Sequence, residues 1–555
     1  MSIRIYKARR IITMNPSNPE GTHIAVRDGQ ILGVGSLDEV AVWGAHELDD
    51  TFAEHVITPG FVEAHAHVME GATGSMPYLG YFDRSLPEGG TVQGVKSYAE
   101  LITRLKEIDT SLDDPDEPIL GRGFDPIYFE GEERLTRTHL DQVSSTRPIF
   151  LMHASGHLAT ANSAMLRQNN VTADMKVEGL GRDASGELDG ELREPPAMSL
   201  CKSGYQAIMR SNTGAETLKN FGLSARNAGI TTVTDLAGSL LIAPDSRYAG
   251  KTVWQEVVND PSFPARIAQY NIPAMPGASA SFEDVAQSLL ELQAEATDKL
   301  RFPGVKFILD GSIQGWSALL NEPGYLTGED HGQLLTVPDQ FKDWLLPFHR
   351  AGINVHMHCN GNRTQDLAIE TVEAVLKEVA WLDHRHTITH AQLTTQAQLR
   401  KMAKLGLCAN FFANHLWYWG DQHYEQTVGP ERANALEPCA SALREGVPFS
   451  IHSDASVTPL GHLHTMWCAV NRVTPKGRVL GESEKISTYE ALRAVTISAA
   501  YQLHMDHEIG SLEAGKRADF AILGDDPLTI DPMSIKDIPI WGTVLGGVHH
   551  QAPAP

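Results

Sequence analysis

Cysteines and basic residues are both scarce in this chain, and each shortage excludes a class of protein. Only five cysteines (Cys201, Cys359, Cys408, Cys439, Cys468) are spread over 555 residues, with no CxxC pair. No disulfide framework is implied, and reduced thiols in a cytoplasmic protein are expected. Lysine and arginine number 45 against 69 aspartates and glutamates, a formal charge of −24. A protein that displaces counterions from a phosphate backbone needs the opposite balance, so no nucleic-acid partner is expected. Long apolar runs are missing too. The best membrane candidate, Pro148 to Leu166, is interrupted by His153, Ser155, His157, Thr160, Asn162 and Ser163, and reads as a buried strand plus loop. The basic residues near the start lead into no apolar stretch, so neither a secretory signal nor a membrane partner is expected.

What is present is ordinary globular composition, 42% hydrophobic and 21% charged, in a chain longer than one usual domain. Short β-prone segments open the chain (Ile3 to Tyr6, Arg10 to Met14, Ile24 to Val26, Gln30 to Val34, His55 to Ile57), with Asp28-Gly29 as a hairpin signal. Similar segments close it, at Phe520 to Leu523 and Ile540 to Leu545. Residues 1–58 together with 508–555 are therefore expected to form a small β-sandwich domain from both termini.

Between them, β-prone runs alternate with amphipathic stretches. The runs are Pro148 to Met152, Thr231 to Thr234, Arg266 to Tyr270, Gly304 to Ile308, Ile353 to His356, Thr387 to Thr389, Leu407 to Asn410 and Pro448 to Ile451. Apolar residues recur at helical spacing in Glu283 to Ala294, Thr364 to Val379 and Thr395 to Lys404. The alternation predicts an α/β fold, a TIM-like (β/α)8 barrel over residues 59–507. An open doubly wound sheet ranks behind it, because no GxGxxG follows a first strand.

Chemistry-bearing residues gather at the predicted strand ends. His65 and His67 follow the run Val56 to Val62 and share one strand face, because alternate strand residues point the same way. A lone HxH equally fits two histidines on a polar rim. Lys306, His358, His390 and Asp454 each end another predicted strand, and barrel active sites lie at the C-terminal ends of strands. Imidazoles and carboxylates suit zinc or another divalent ion. Lys306 also fits a cationic substrate contact, and Asp454 a helix cap.

Here the residues resemble a known family. Thr58-Pro59-Gly60-Phe61-Val62-Glu63-Ala64-His65-Ala66-His67 is similar to the opening motif of the amidohydrolase superfamily, and Ile509 to Asp519 to its closing one. Val305 to Ser312, Ala228 to Asp235, His358 to Asn362, Ile388 to Ala391 and Ser453 to Ala455 resemble the YtcJ-like, N-substituted formamide deformylase-like branch, amidohydrolase family 3. The resemblance implies one or two divalent ions. His65 and His67 would hold the first, His358 and His390 the second, and Lys306, carboxylated by carbon dioxide, would bridge them. Asp454 would touch the first ion and act as the catalytic base. Two departures stand out: Asn362 replaces the family's acid, and His356 is an extra histidine on the strand of His358. His157, with neighbouring His153, resembles a strand-end histidine of the family. With Asp125 and Trp316 it is a substrate-binding candidate, and a histidine that merely caps a loop is the alternative. The aromatic stretch Phe411 to Trp419 fits an apolar pocket wall or core packing.

A divalent ion lowers the pKa of water and polarises a carbonyl, so the leading expectation is hydrolysis of a C–N bond in a small non-peptide amide. The same chemistry would open a lactone, cleave a carbamate or ester, or deaminate a ring. A metal-dependent isomerase or lyase and a non-catalytic binding protein rank lower. A homodimer or other homo-oligomer is the expected assembly.

Overall fold

A computed structural model describes residues 2–68, 76–131, 134–211, 214–241, 250–273, 280–328 and 332–553. Its centre is a ring of eight parallel strands: β1 Phe61–Ala66, β2 Ile230–Gly238, β3 Arg266–Asn271, β4 Leu300–Ile308, β5 Asn354–Cys359, β6 Thr387–His390, β7 Cys408–Phe411 and β8 Phe449–Ile451. Each pairs with the next in parallel register, Lys306 beside His356 and His358 beside Thr389 among them. Between β8 and β1 the ladder shrinks to one parallel bridge, Ala66 to Ala455, so the barrel is nearly closed. Asn410 of β7 braces this seam, donating from Nδ2 to Ala64 O at 3.0 Å. Val, Ile and Thr dominate several of these strands because both faces are covered, by helices outside and packed side chains within.

The helices form where sequence periodicity places them, and their ends are chemically marked. Ser281 caps Phe282–Gln293 with a capping box to Asp284, and Thr395 caps Gln396–Leu405 with one to Gln398. Gly406, at φ 73°, ends the latter in the left-handed conformation.

The strands from both termini build one mixed eight-stranded sheet, as expected from their shared character. It contains Ile3–Ile12, Glu20–Arg27, Gln30–Gly35, His46–Asp49, Val56–Pro59, Phe520–Leu523, Ile540–Leu545 and Val548–Gln551. The sheet curls back on its own core of Tyr6, Ile24, Phe52, Phe520 and neighbours, and Ile31 exchanges backbone hydrogen bonds with Gly515 and Lys516.

Two expectations are corrected. The run Val56 to Val62 is not one strand: it breaks at Gly60, with Val56–Pro59 in the terminal sheet and Phe61–Ala66 in the barrel. A Cβ on Gly60 would lie 2.0 Å from Thr231 Oγ1, so the close approach of β2 requires glycine there. Pro148 to Met152 is not a barrel strand either. Ile149–His153 belongs to a separate five-stranded sheet, with Ile119–Phe124, Leu158–Ala161, Leu180–Arg182 and Leu188–Arg193, inserted between β1 and β2. Periodicity marks a segment as a buried strand but carries no information about which sheet receives it. Among the described residues no helix is long and apolar enough to cross a membrane.

Candidate metal centre

The C-terminal ends of four barrel strands, β1, β5, β6 and β8, bring their polar residues to one place. His65 and His67, at the end of β1, face each other with Nε2 atoms 3.2 Å apart. Asp454, three residues past β8, places Oδ1 3.3 Å from His65 Nε2 and 3.1 Å from His67 Nε2. Three ligand atoms on a triangle of these edges match a tetrahedral ion, whose ligands at ~2.0 Å stand roughly 3.3 Å from one another. His390 at the end of β6 and His358 on β5 form a second pair, Nε2 to Nδ1 3.2 Å, and His390 Nδ1 lies 3.8 Å from Asp454 Oδ2. His65, His390 and His452 also converge, with one ligand atom from each within 4.8 Å of the others.

The electrostatics favour ligation. Burial drives His65, His358 and His390 well below the ordinary imidazole pKa, assisted by neighbouring positive groups including Lys306. Neutral rings keep a lone pair for a cation. His390 Nδ1 and both ring nitrogens of His452 are buried without hydrogen-bond partners, so these rings keep a nitrogen free for a cation. Burial alone would raise the pKa of Asp454, but the His67 hydrogen bond and the fields of His67, His452 and Lys306 hold it below the usual carboxylate value. Lys306 is buried, and desolvation lowers its amine to about 8. Asp454 and His390 adopt left-handed backbone angles, φ 52° and 70°, which non-glycine residues keep where surrounding structure enforces them.

Around these groups sit residues that hold them. Glu63, wholly buried, accepts from His65 N at 3.0 Å, from Ser453 N at 3.3 Å and from Ser453 Oγ at 2.5 Å, tying β1 to the segment that carries Asp454. Asp310 accepts from Asn360 N, Gly361 N and Thr364 Oγ1 and organises the turn after His358. Asn362 accepts from Asn321 N at 2.9 Å, so the residue replacing the family's acid fastens a neighbouring loop. His356 packs at a tilt against Tyr270, with ring centroids 4.5 Å apart.

The three substrate-binding candidates fall in different settings. His157 lies against His358, rings 5.1 Å apart, with Nδ1 2.8 Å from Glu194 Oε2. Burial pulls its pKa down, but the Glu194 charge and hydrogen bond outweigh burial and raise it. His153 is 2.8 Å from Thr160 Oγ1 and points into the inserted sheet. Both oxygens of Asp125 are engaged, by Ile127 N and Trp419 Nε1, and burial raises its pKa to about 6. Trp316 joins an aromatic cluster with Ile127, Phe412 and Trp419, in which Phe412 stacks on His452 at 4.9 Å. The Phe411 to Trp419 stretch thus contributes both to this wall and to the core.

Sequence reasoning passed over His452, Glu63 and Glu194. His452 was detectable, since it precedes Asp454 by two residues, the HxH spacing that placed His65 beside His67. Glu194 carries no local signal, because only the inserted sheet brings it to His157.

An eight-stranded barrel with imidazoles and a carboxylate converging at the C-terminal mouth defines the class of metal-dependent hydrolases. Within that class the chain belongs to the amidohydrolase family, whose model matches residues 54–549. It is 28% identical to the protein LONG AFTER FAR-RED 3 of Arabidopsis thaliana, over 97% of this chain and 89% of that one. It is 26% identical to the N-substituted formamide deformylase of Arthrobacter pascens, over 97% and 96%. An uncharacterized metal-dependent hydrolase from Pyrococcus horikoshii shares the fold with a TM-score of 0.69 at 20% identity, over 96% and 99% of the two chains.

Proposed function

We propose that the protein hydrolyses a C–N bond of a small non-peptide amide, with His65, His67 and Asp454 holding one divalent ion and His358 and His390 a second. The observation that carries the reading is the triangle of His65 Nε2, His67 Nε2 and Asp454 Oδ1, with edges of 3.1 to 3.3 Å. A divalent ion held by these residues would lower the pKa of water toward neutrality and polarise a carbonyl. Asp454, held ionised by its neighbours, takes the proton of the attacking water and passes it to the departing amine. Lys306, whose amine pKa burial lowers to about 8, would lose one proton to free its lone pair, add to carbon dioxide and release a second proton, turning a repelling cation into a carbamate anion able to ligate a metal. His452, beside His65 and His390, is a further candidate ligand. The relative that acts on N-substituted formamides supports the amide class.

Metal content per chain, by elemental analysis of protein prepared without chelator, tests this together with formate release from N-phenylformamide and N-butylformamide. About two ions per chain, falling in His65→Ala and Lys306→Ala, with formate release, is the expected result. Metal that Lys306→Ala leaves intact would refute the carbamate bridge, and turnover of lactones but of no amide would overturn the C–N assignment.

A further inference from the structure

The inserted sheet delivers a histidine and a glutamate to the mouth of the barrel. Its strands Leu158–Ala161 and Leu188–Arg193 pair antiparallel with Leu158 opposite Arg193, so His157 and Glu194 follow as the next pair of the ladder. Two hydrogen bonds join them. Glu194 N donates to His157 O at 2.7 Å, and His157 Nδ1, facing a carboxylate, donates to Glu194 Oε2 at 2.8 Å. Glu194 holds this place with a left-handed backbone, φ 63°, a cost that a non-glycine residue bears where the surrounding structure enforces it.

The two ends of the pair differ. The Glu194 carboxylate is wholly enclosed, and a Cβ on Gly311 would overlap its Oε1, so glycine lets the loop after β4 close over it. Gly311 O in turn accepts from Asn360 Nδ2 at 2.7 Å and lies 3.3 Å from His358 Nε2, so the carboxylate packs against backbone that borders the pair His358 and His390. The His157 side chain stays 16% exposed, and its ring stands across that of His358, with centroids 5.1 Å apart and planes at 61°. Its Nε2 has no hydrogen-bond partner among the described residues. A wholly buried carboxylate is a costly way to fill space. Here it engages one imidazole nitrogen and leaves the other open at the metal centre, the way outer groups set the direction of inner ones.

We propose that His157 meets the substrate through Nε2, by a hydrogen bond to a polar atom next to the scissile bond, and that Glu194 is the positioning residue that holds the ring in this attitude. The proposal rests on the metal-dependent hydrolase reading above and not on its amide assignment.

Titration calorimetry of acetohydroxamate into the metal-loaded protein tests it, because that probe ligates divalent ions through its two oxygens and sets a carbonyl and an N–H beside them. His157→Ala and Glu194→Ala are each expected to weaken binding about tenfold. The double variant should weaken it no further than either alone, because Glu194 acts only through His157. Glu194→Gln, which keeps an acceptor for Nδ1, should retain most of the affinity, and metal content by elemental analysis should stay at the wild-type level in all four variants. Should Glu194→Ala not fold, Glu194→Met, similar in shape but without an acceptor, takes its place. Equal binding by His157→Ala and the parent overturns the substrate contact. Losses that multiply to about a hundredfold in the double variant, or metal lost from Glu194→Ala, overturn the positioning role, since Glu194 would then support the site independently of His157. Wild-type protein that holds no metal would overturn this proposal together with the reading it rests on. Failure to hydrolyse any amide would refute only the C–N assignment and leave the calorimetric comparison standing.

Discussion

Arg266, the first residue of β3, lays its guanidinium along Asp519, with Nε to Oδ2 at 2.7 Å and Nη2 to Oδ1 at 3.0 Å, across 253 positions of sequence. Both side chains are almost wholly buried, and Arg266 also reaches Asp298. Asp519 Oδ1 accepts from Gly546 N as well, and Asp519 O from Gly60 N, so one residue of the closing motif clasps the barrel, the terminal sheet and the opening motif. Removing Asp519 leaves the buried Arg266 with only Asp298, more than half exposed, as a counter-charge. Asp519→Ala is therefore expected to cost about 3–5 kcal/mol, read by chemical denaturation, and a loss below about 1 kcal/mol would show that the pair behaves like a surface one.

Glu63 holds His65 and the segment of Asp454, residues of the proposed metal site, by accepting from His65 N, Ser453 N and Ser453 Oγ. Glu63→Ala strands the His65 and Ser453 donors, and metal affinity should fall roughly 10–100-fold, measured by competition with a chromophoric chelator. Glu63→Gln keeps an acceptor and should lose less. Equal effects of the two substitutions would deny the carboxylate its positioning role.

His452 is a test of the proposed ligand set, since it converges with His65 and His390. If it is a ligand, His452→Ala lowers metal content or affinity as His65→Ala does. If it only packs between His65 and Phe412, metal content stays at the wild-type level and the loss appears in thermal stability.

A histidine relay at the opposite end of the barrel predicts a pH response. His386 Nε2 is 2.9 Å from His349 Nδ1, and His386 Nδ1 accepts from Val355 N at 3.1 Å. Burial, then the positive fields of His384 and His349, push His386 well below its ordinary value, so the folded protein keeps it neutral. Below pH about 6.5 the unfolded chain binds a proton that the folded one refuses. This contribution to stability is complete above that pH and is lost on acidification, by up to about 1.4 kcal/mol per pH unit for one group. Melting temperatures between pH 7.5 and 5 should fall less steeply for His386→Gln than for the parent, and parallel slopes would exclude the relay as a source.

Local pattern in the sequence singled out the residues that the structure gathers at the barrel mouth. His65 and His67 share a face because strand side chains alternate, and Lys306, His358, His390 and Asp454 stood out because each ends a β-prone run. The opening and closing motifs marked the family and the terminal sheet. Tertiary structure alone decided which strands adjoin. It sent Ile149–His153 to an inserted sheet, brought Glu194 to His157, and set Arg84 and Arg122 on the loop beyond Asp454. The physical reason is range. The direction of a side chain follows from a few backbone angles nearby, whereas the distance between residues far apart in sequence follows from how whole sheets and helices pack.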